Sequence, residues 1–94
     1  MTSTERRQGL RDVSAVLGQR VRKRREALGL SQEELAHRSG LSRNQVQNLE
    51  KNRNNSRDAN GRTGPANPRL DTLWSIATTL EITVSELLDG IDRP

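Results

Sequence analysis

The sequence predicts an all-α domain, and three observations carry that expectation. Apolar residues recur at three- and four-residue spacing through most of the 94 positions, no alternating strand pattern occurs, and one helix-start pattern appears three times. Only residues 1–12 and 52–67 fall outside this scheme.

Residues 1–12 are polar and are expected to form a flexible basic N-terminal tail, leaving one domain over residues 13–94. Residues 13–28 place Val13, Val16, Leu17, Val21 and Leu28 toward one side of a helix, with Arg20, Arg22, Lys23 and Arg24 largely elsewhere. Gly29 suits the end of that helix. The repeated pattern is an apolar residue, a Ser or Thr, two residues, Glu or Gln, and another apolar residue. Its copies are Leu30-Ser31-Gln32-Glu33-Glu34-Leu35, Leu41-Ser42-Arg43-Asn44-Gln45-Val46 and Ile82-Thr83-Val84-Ser85-Glu86-Leu87. Each reads as a capping box inside a hydrophobic staple: the hydroxyl takes an orphan N–H, the Glu or Gln reaches back, and the apolar pair fixes the approach of the chain. A further helix is expected after Asn67-Pro68, with Asn67 as N-cap and Pro68 in the first helical position. Its buried stripe would be Leu70, Leu73, Ile76, Ala77 and Leu80. Trp74, the one aromatic residue, is assigned a core or dimer-contact role. Residues 52–67 contain no large apolar side chain and form an inserted polar loop, expected to be mobile in the free protein.

Composition narrows the function classes. Cysteine is absent, so no disulfide framework or thiolate metal site is available, and a reducing compartment is expected. No stretch approaches the ~20 apolar residues of a membrane span and residues 1–10 hold no apolar run of signal-peptide length, which predicts a cytoplasmic, nucleoid-associated protein without a membrane partner. The net charge of +4 is unevenly divided: residues 1–69 hold fifteen basic and seven acidic side chains, residues 70–94 one and five. A molecule positive on one side suits a polyanion. Enzyme activity is not expected. His37 is the only histidine, it lies on a helix without Asp or another His at ligand spacing, and no Gly-rich phosphate loop follows a strand; neither cofactor nor metal is predicted.

Between Ser31 and Lys51 two short helices are separated only by Ser39-Gly40-Leu41, the plan of a helix-turn-helix. On the second, residues 42–51, Val46 and Leu49 point inward and Arg43, Asn44, Gln47, Asn48 and Lys51 outward. Arg can bond guanine O6 and N7 in bidentate fashion, and Asn or Gln can do the same with adenine N6 and N7. A polar stripe is commonly no more than a solvated face, yet Asn is an indifferent helix former, and two Asn at i and i+4 favour a base-reading role for Arg43, Asn44, Gln47 and Asn48. Lys51 and, in the loop, Arg53, Arg57 and Arg62 lie within reach of phosphate.

Through Leu17-Gly18-Gln19-Arg20-Val21-Arg22, Gly29 to Ala36, Gly40-Leu41-Ser42, Val46, Leu49-Glu50 and Leu80 to Leu88, the sequence resembles the phage repressor and Cro type of helix-turn-helix proteins, also called the xenobiotic-response-element type. The resemblance implies a compact five-helix repressor-like domain that binds double-stranded DNA with its third helix in the major groove, as a homodimer on a partly palindromic operator. It implies that Gln32 contacts phosphate at the start of the second helix, that Ser42 lies near the backbone, and that Arg25 and Glu50 form a structural ion pair. Two departures stand out: the family's connection after the recognition helix is normally much shorter than residues 52–67, and a Gly is common where Glu81 stands. The rival reading is an antitoxin-like or adaptor module with a protein partner, using the apolar strip Val84, Leu87, Leu88 and Ile91.

Overall fold

A computed structural model describes residues 1–93, and its helices are α1 (Ser3–Ala27), α2 (Gln32–Ser39), α3 (Arg43–Glu50), α4 (Leu70–Thr79) and α5 (Val84–Leu88). All three capping boxes form. Ser31 accepts the Glu34 N–H at 3.0 Å while Glu34 accepts the Ser31 N–H at 3.0 Å. Ser42 and Gln45 open α3 in the same way, at 2.8 and 3.1 Å, and Thr83 and Glu86 open α5 at 3.1 and 3.0 Å.

The first four helices also share one ending. A residue in the left-handed region stops each helix, at Gly29, Gly40, Asn52 and Glu81. The next N–H then reaches back five residues: Leu30 to Arg25 O, Leu41 to Ala36 O, Arg53 to Asn48 O and Ile82 to Ala77 O, all within 2.8–3.0 Å. This closes otherwise orphaned carbonyls. Glycine takes that conformation freely and asparagine with little strain, whereas Glu81 at φ 62° carries a Cβ clash of roughly 1–2 kcal/mol. Helix α4 nonetheless ends cleanly, because Ile82 and Leu80 both pack into the core.

Helix α1 begins ten residues earlier than the apolar pattern indicates, so residues 3–12 are helical rather than a flexible tail. Thr2 caps the Glu5 N–H at 3.1 Å and Gln8 bonds Asp12 one turn on at 2.9 Å. The extension is wholly exposed. It exists because adding turns to a helix already anchored by Leu17 and Val21 costs far less than nucleating one. At about 1.5 Å per residue its 25 residues account for the longest dimension of the molecule, 38 Å.

Leu17 and Val21 of α1 meet Leu35 and Ala36, Val46 and Leu49, Ile76 and Ala77, Leu80, and Leu87 in one core. Val84, Leu88 and Ile91 pack on its edge, so the C-terminal apolar strip is largely absorbed by the fold. Two arginines of α1 close the far helices: Arg20 donates to Leu87 O and Arg24 to Leu80 O, each at 2.9 Å. Guanidinium groups at helix C-termini satisfy free carbonyls and oppose the dipole.

The segment after α3 differs most from expectation. Residues 54–64 form a small hairpin: the Asn54 N–H donates to Gly64 O and the Asp58 N–H to Arg62 O, both at 2.9 Å, around an Arg57–Thr63 bridge. Ser14 of α1 donates to Ala66 O, Asn52 donates to Arg11 O at 2.9 Å, and Asn52 accepts the Ala66 N–H at 3.2 Å. Ala66 itself is buried. The segment is thus pinned at its base by one methyl group and a set of Asn and Ser bonds, a means of ordering that a search for large apolar residues misses. The same anchoring holds residues 66–68 extended and delays α4, whose N-cap is Arg69 rather than Asn67 and has no side-chain cap. Leu70 consequently leaves the predicted stripe and is 73% exposed, with Trp74 at 63%.

Candidate nucleic-acid interface

Helices α2 and α3 make a helix-turn-helix joined by Gly40, Leu41 and Ser42. Gly40 sits at φ 70°, a left-handed turn that a Cβ would strain, and Leu41 packs against the core. Val46 and Leu49 are buried beneath α3. That leaves Arg43 and Asn44 exposed and Gln47 and Asn48 half-buried on the outward face. The one carboxylate of α3, Glu50, is folded inward: its side chain is 4% exposed and accepts Arg25 Nε at 2.8 Å and Arg25 Nη2 at 2.9 Å. Arg25 also donates to Leu30 O at 2.8 Å, and its guanidinium is held above the ordinary arginine value mainly by the hydrogen bonds to Glu50. The ion pair implied by the resemblance is therefore present and fork-shaped, and the outward face of α3 keeps no negative charge.

The residues assigned to phosphate are dispersed. Gln32, assigned to phosphate, is half-buried and donates to Glu50 at 3.1 Å, joining the ion pair. Ser42 is exposed, with its oxygen accepting from Gln45. Lys51 is exposed at the end of α3. Arg53 turns back onto the recognition helix, its Nε donating to Asn48 Oδ1 at 2.9 Å, while Asn48 Nδ2 donates to Asn55 Oδ1 at 2.9 Å. An amide has two N–H and two acceptor lone pairs, so Asn48 retains one of each, the pair that an adenine edge requires. Arg53 and Asn55 thereby hold the Asn48 amide from two sides. Arg57 and Arg62 are exposed on the hairpin, apart from Arg53. His37 is exposed on α2. No helix among the described residues is long and apolar enough to cross a membrane.

Comparison with known proteins agrees with this geometry. A helix-turn-helix family model matches residues 21–60. A protein described as an uncharacterized transcriptional regulator in the ATPase CF(0) region of Rhodospirillum rubrum is 53% identical over 81 residues, which are 86% of this chain. The chain spans 64% of the length of that relative. Among solved structures, the restriction-modification controller protein C.AhdI from Aeromonas hydrophila matches with a TM-score of 0.62 at 38% identity, over 79% of this chain and 94% of that one. With five helices in the expected order, the helix-turn-helix in place and a solved relative covered almost entirely, the chain belongs to the phage repressor and Cro type, or xenobiotic-response-element type, of the helix-turn-helix family.

Proposed function

We propose that this chain is a sequence-specific regulator of transcription that reads duplex DNA in the major groove with α3 and acts by occupying an operator, as a repressor, rather than by catalysis. The observation that carries the reading is the outward face of α3, where Arg43, Asn44, Gln47 and Asn48 stand together while the helix's only carboxylate is buried against Arg25. The names of the relatives, a transcriptional regulator and a restriction-modification controller, support it. In the cell such a protein resides with the nucleoid in the cytoplasm.

The homodimer belongs to the same proposal. Leu70, Trp74 and Val84 line an open apolar hollow of about 660 Å³ beside Arg69 and Asp71, and a two-fold axis through it would cover Leu70 and Trp74 on both copies at once. Adjoining large apolar side chains left exposed in one patch, as Leu70 and Trp74 are, mark an interaction surface. Two copies would then present two α3 helices to a partly palindromic operator.

The base-reading assignment is tested by Arg43→Ala and Asn44→Ala. Each is expected to relax preference at particular operator positions, at a cost of roughly 1–3 kcal/mol there, and to leave binding to unrelated duplexes nearly unchanged. Equal losses on operator and unrelated DNA, read by fluorescence anisotropy, would make both residues non-specific contacts.

A further inference from the structure

The N-terminal turns of α1 and the hairpin inserted after α3 face each other across an open cleft of about 290 Å³, lined by Arg7 and Arg11 from the helix and by Ser56, Arg57, Arg62 and Thr63 from the hairpin. Four guanidinium groups are gathered there from two elements far apart in sequence. None takes part in the ion pairs found among the described residues, which join Arg22 to Glu26, Arg25 to Glu50 and Arg69 to Asp71. The cleft's single carboxylate, Asp58, accepts the backbone N–H groups of Arg62 and Asn60. Its acceptor capacity is thus partly used within the hairpin. Arg11 donates across the cleft to Thr63 O at 3.5 Å and Arg57 to Gly61 O at 3.0 Å, and Asp58 offsets Arg11 and Arg62 in part. Like charges at i and i+4, as Arg7 and Arg11 are, still repel one another, and four guanidinium groups against one carboxylate leave a net positive charge that a further anion would neutralise.

The position of the cleft identifies the anion. Asn52, the residue that ends α3, donates to the carbonyl of Arg11 at 2.9 Å. Arg53 bonds Asn48 on the recognition helix at 2.9 Å, and Ser14 holds Ala66 at the hairpin's other end. Cleft and recognition helix are therefore joined by direct hydrogen bonds. With α3 in a major groove, the chain leaving its C-terminal end meets the sugar–phosphate backbone bordering that groove, and multiple arginines are the side chains that grip phosphate. We propose that the Arg7–Arg11–Arg57–Arg62 cleft is a second DNA-binding site that takes backbone phosphates flanking the sequence read by α3 and lengthens the footprint. The inference rests on the DNA-binding reading above. It adds affinity without sequence preference, since phosphate contacts carry no base information.

The test uses the full chain and a labelled random-sequence duplex, titrated over a range of salt. Arg7→Gln/Arg11→Gln keeps the helix-forming character of both positions and removes two phosphate contacts, so the slope of log Kobs against log salt is expected to become shallower by ~1.8. Arg57→Gln/Arg62→Gln approaches the cleft from the hairpin side and is expected to do the same, with thermal unfolding of each variant checked against the parent. Lys23→Gln/Arg93→Gln removes equal charge at exposed sites outside the cleft and is expected to leave the slope near that of the parent. If the parent binds the duplex and both cleft variants keep its slope, or match the control, the cleft takes no DNA phosphate. If instead calorimetry with tripolyphosphate shows binding that the cleft variants lose while their DNA slope is intact, the cleft is a small-anion pocket and the proposal fails. A parent protein that binds no duplex at low salt overturns the DNA-binding reading itself.

Discussion

Replacing Gly18 with valine is expected to lower the stability of the domain by about 3 kcal/mol or more, a large part of the 5–15 kcal/mol typical of a small domain. Gly18 is buried in α1 where α3 crosses it. A Cβ at this position would run into the Leu49 carbonyl oxygen and lie 3.2 Å from Glu50 O and 3.3 Å from Glu50 Cα. These are backbone atoms, so no side-chain rotation relieves the contact and α3 must lift off α1. Alanine makes the sharper test because two effects oppose each other in sign. On helix propensity alone Gly18→Ala should stabilise by roughly 1 kcal/mol, whereas the close approach predicts destabilisation of about 1–2 kcal/mol. A lower urea midpoint for Gly18→Ala decides for the contact; a higher midpoint would mean that the helices have room to spare. On the proposal that α3 carries the recognition face, both variants should also lose DNA affinity at temperatures where they remain folded.

The second large effect is expected at Glu50. Glu50→Ala leaves the Arg25 side chain, 11% exposed, without a counter-charge, and breaking a buried pair in this way costs about 3–5 kcal/mol. It also frees Gln32, which bonds the same carboxylate. Glu33→Ala, on an exposed position of α2, should stay within about 0.5 kcal/mol of the parent. Coincident urea midpoints for the two variants would show that the pair contributes nothing. Replacing both partners with apolar residues, Arg25→Met with Glu50→Leu, should recover most of the loss, since the penalty in the single variant is chiefly that of an unpaired buried charge.

What could be read from the sequence was mostly what is local. The capping boxes at Ser31, Ser42 and Thr83 span three residues each, and the side chains that form them are their own signature. The outward face of α3 follows from helical periodicity once its start is fixed. The Arg25–Glu50 pair bridges 25 positions, and only the family resemblance pointed to it. Contacts of longer range left no periodic trace. The carbonyls held by Arg20 and Arg24 lie 67 and 56 residues away, and in the sequence both arginines stand simply off the apolar side of the helix. Arg7 and Arg11 were hidden because an exposed helical extension buries nothing apolar, so residues 3–12 carry no hydrophobic pattern to detect. The hairpin was misread for a related reason: its order comes from Asn52, Asn54, Ser14 and the buried methyl of Ala66, and none of these is a large apolar residue. Leu70 was misplaced by the two-residue delay of α4, which the anchoring of Ala66 imposes from outside the helix.

Whether α3 reads base sequence in duplex DNA is tested most directly by selection of binding sites from a random duplex pool by the protein. The expected result is one enriched motif made of two inverted half-sites about 10 base pairs apart, centre to centre. Within each half-site, the strongest preferences should fall at guanine and adenine positions suited to Arg43 and to Asn44, Gln47 or Asn48. A pool that remains as diverse after repeated rounds as at the start, with protein still retaining DNA, would mean that the chain grips phosphate without reading sequence, and would contradict the assignment of α3 as a recognition helix.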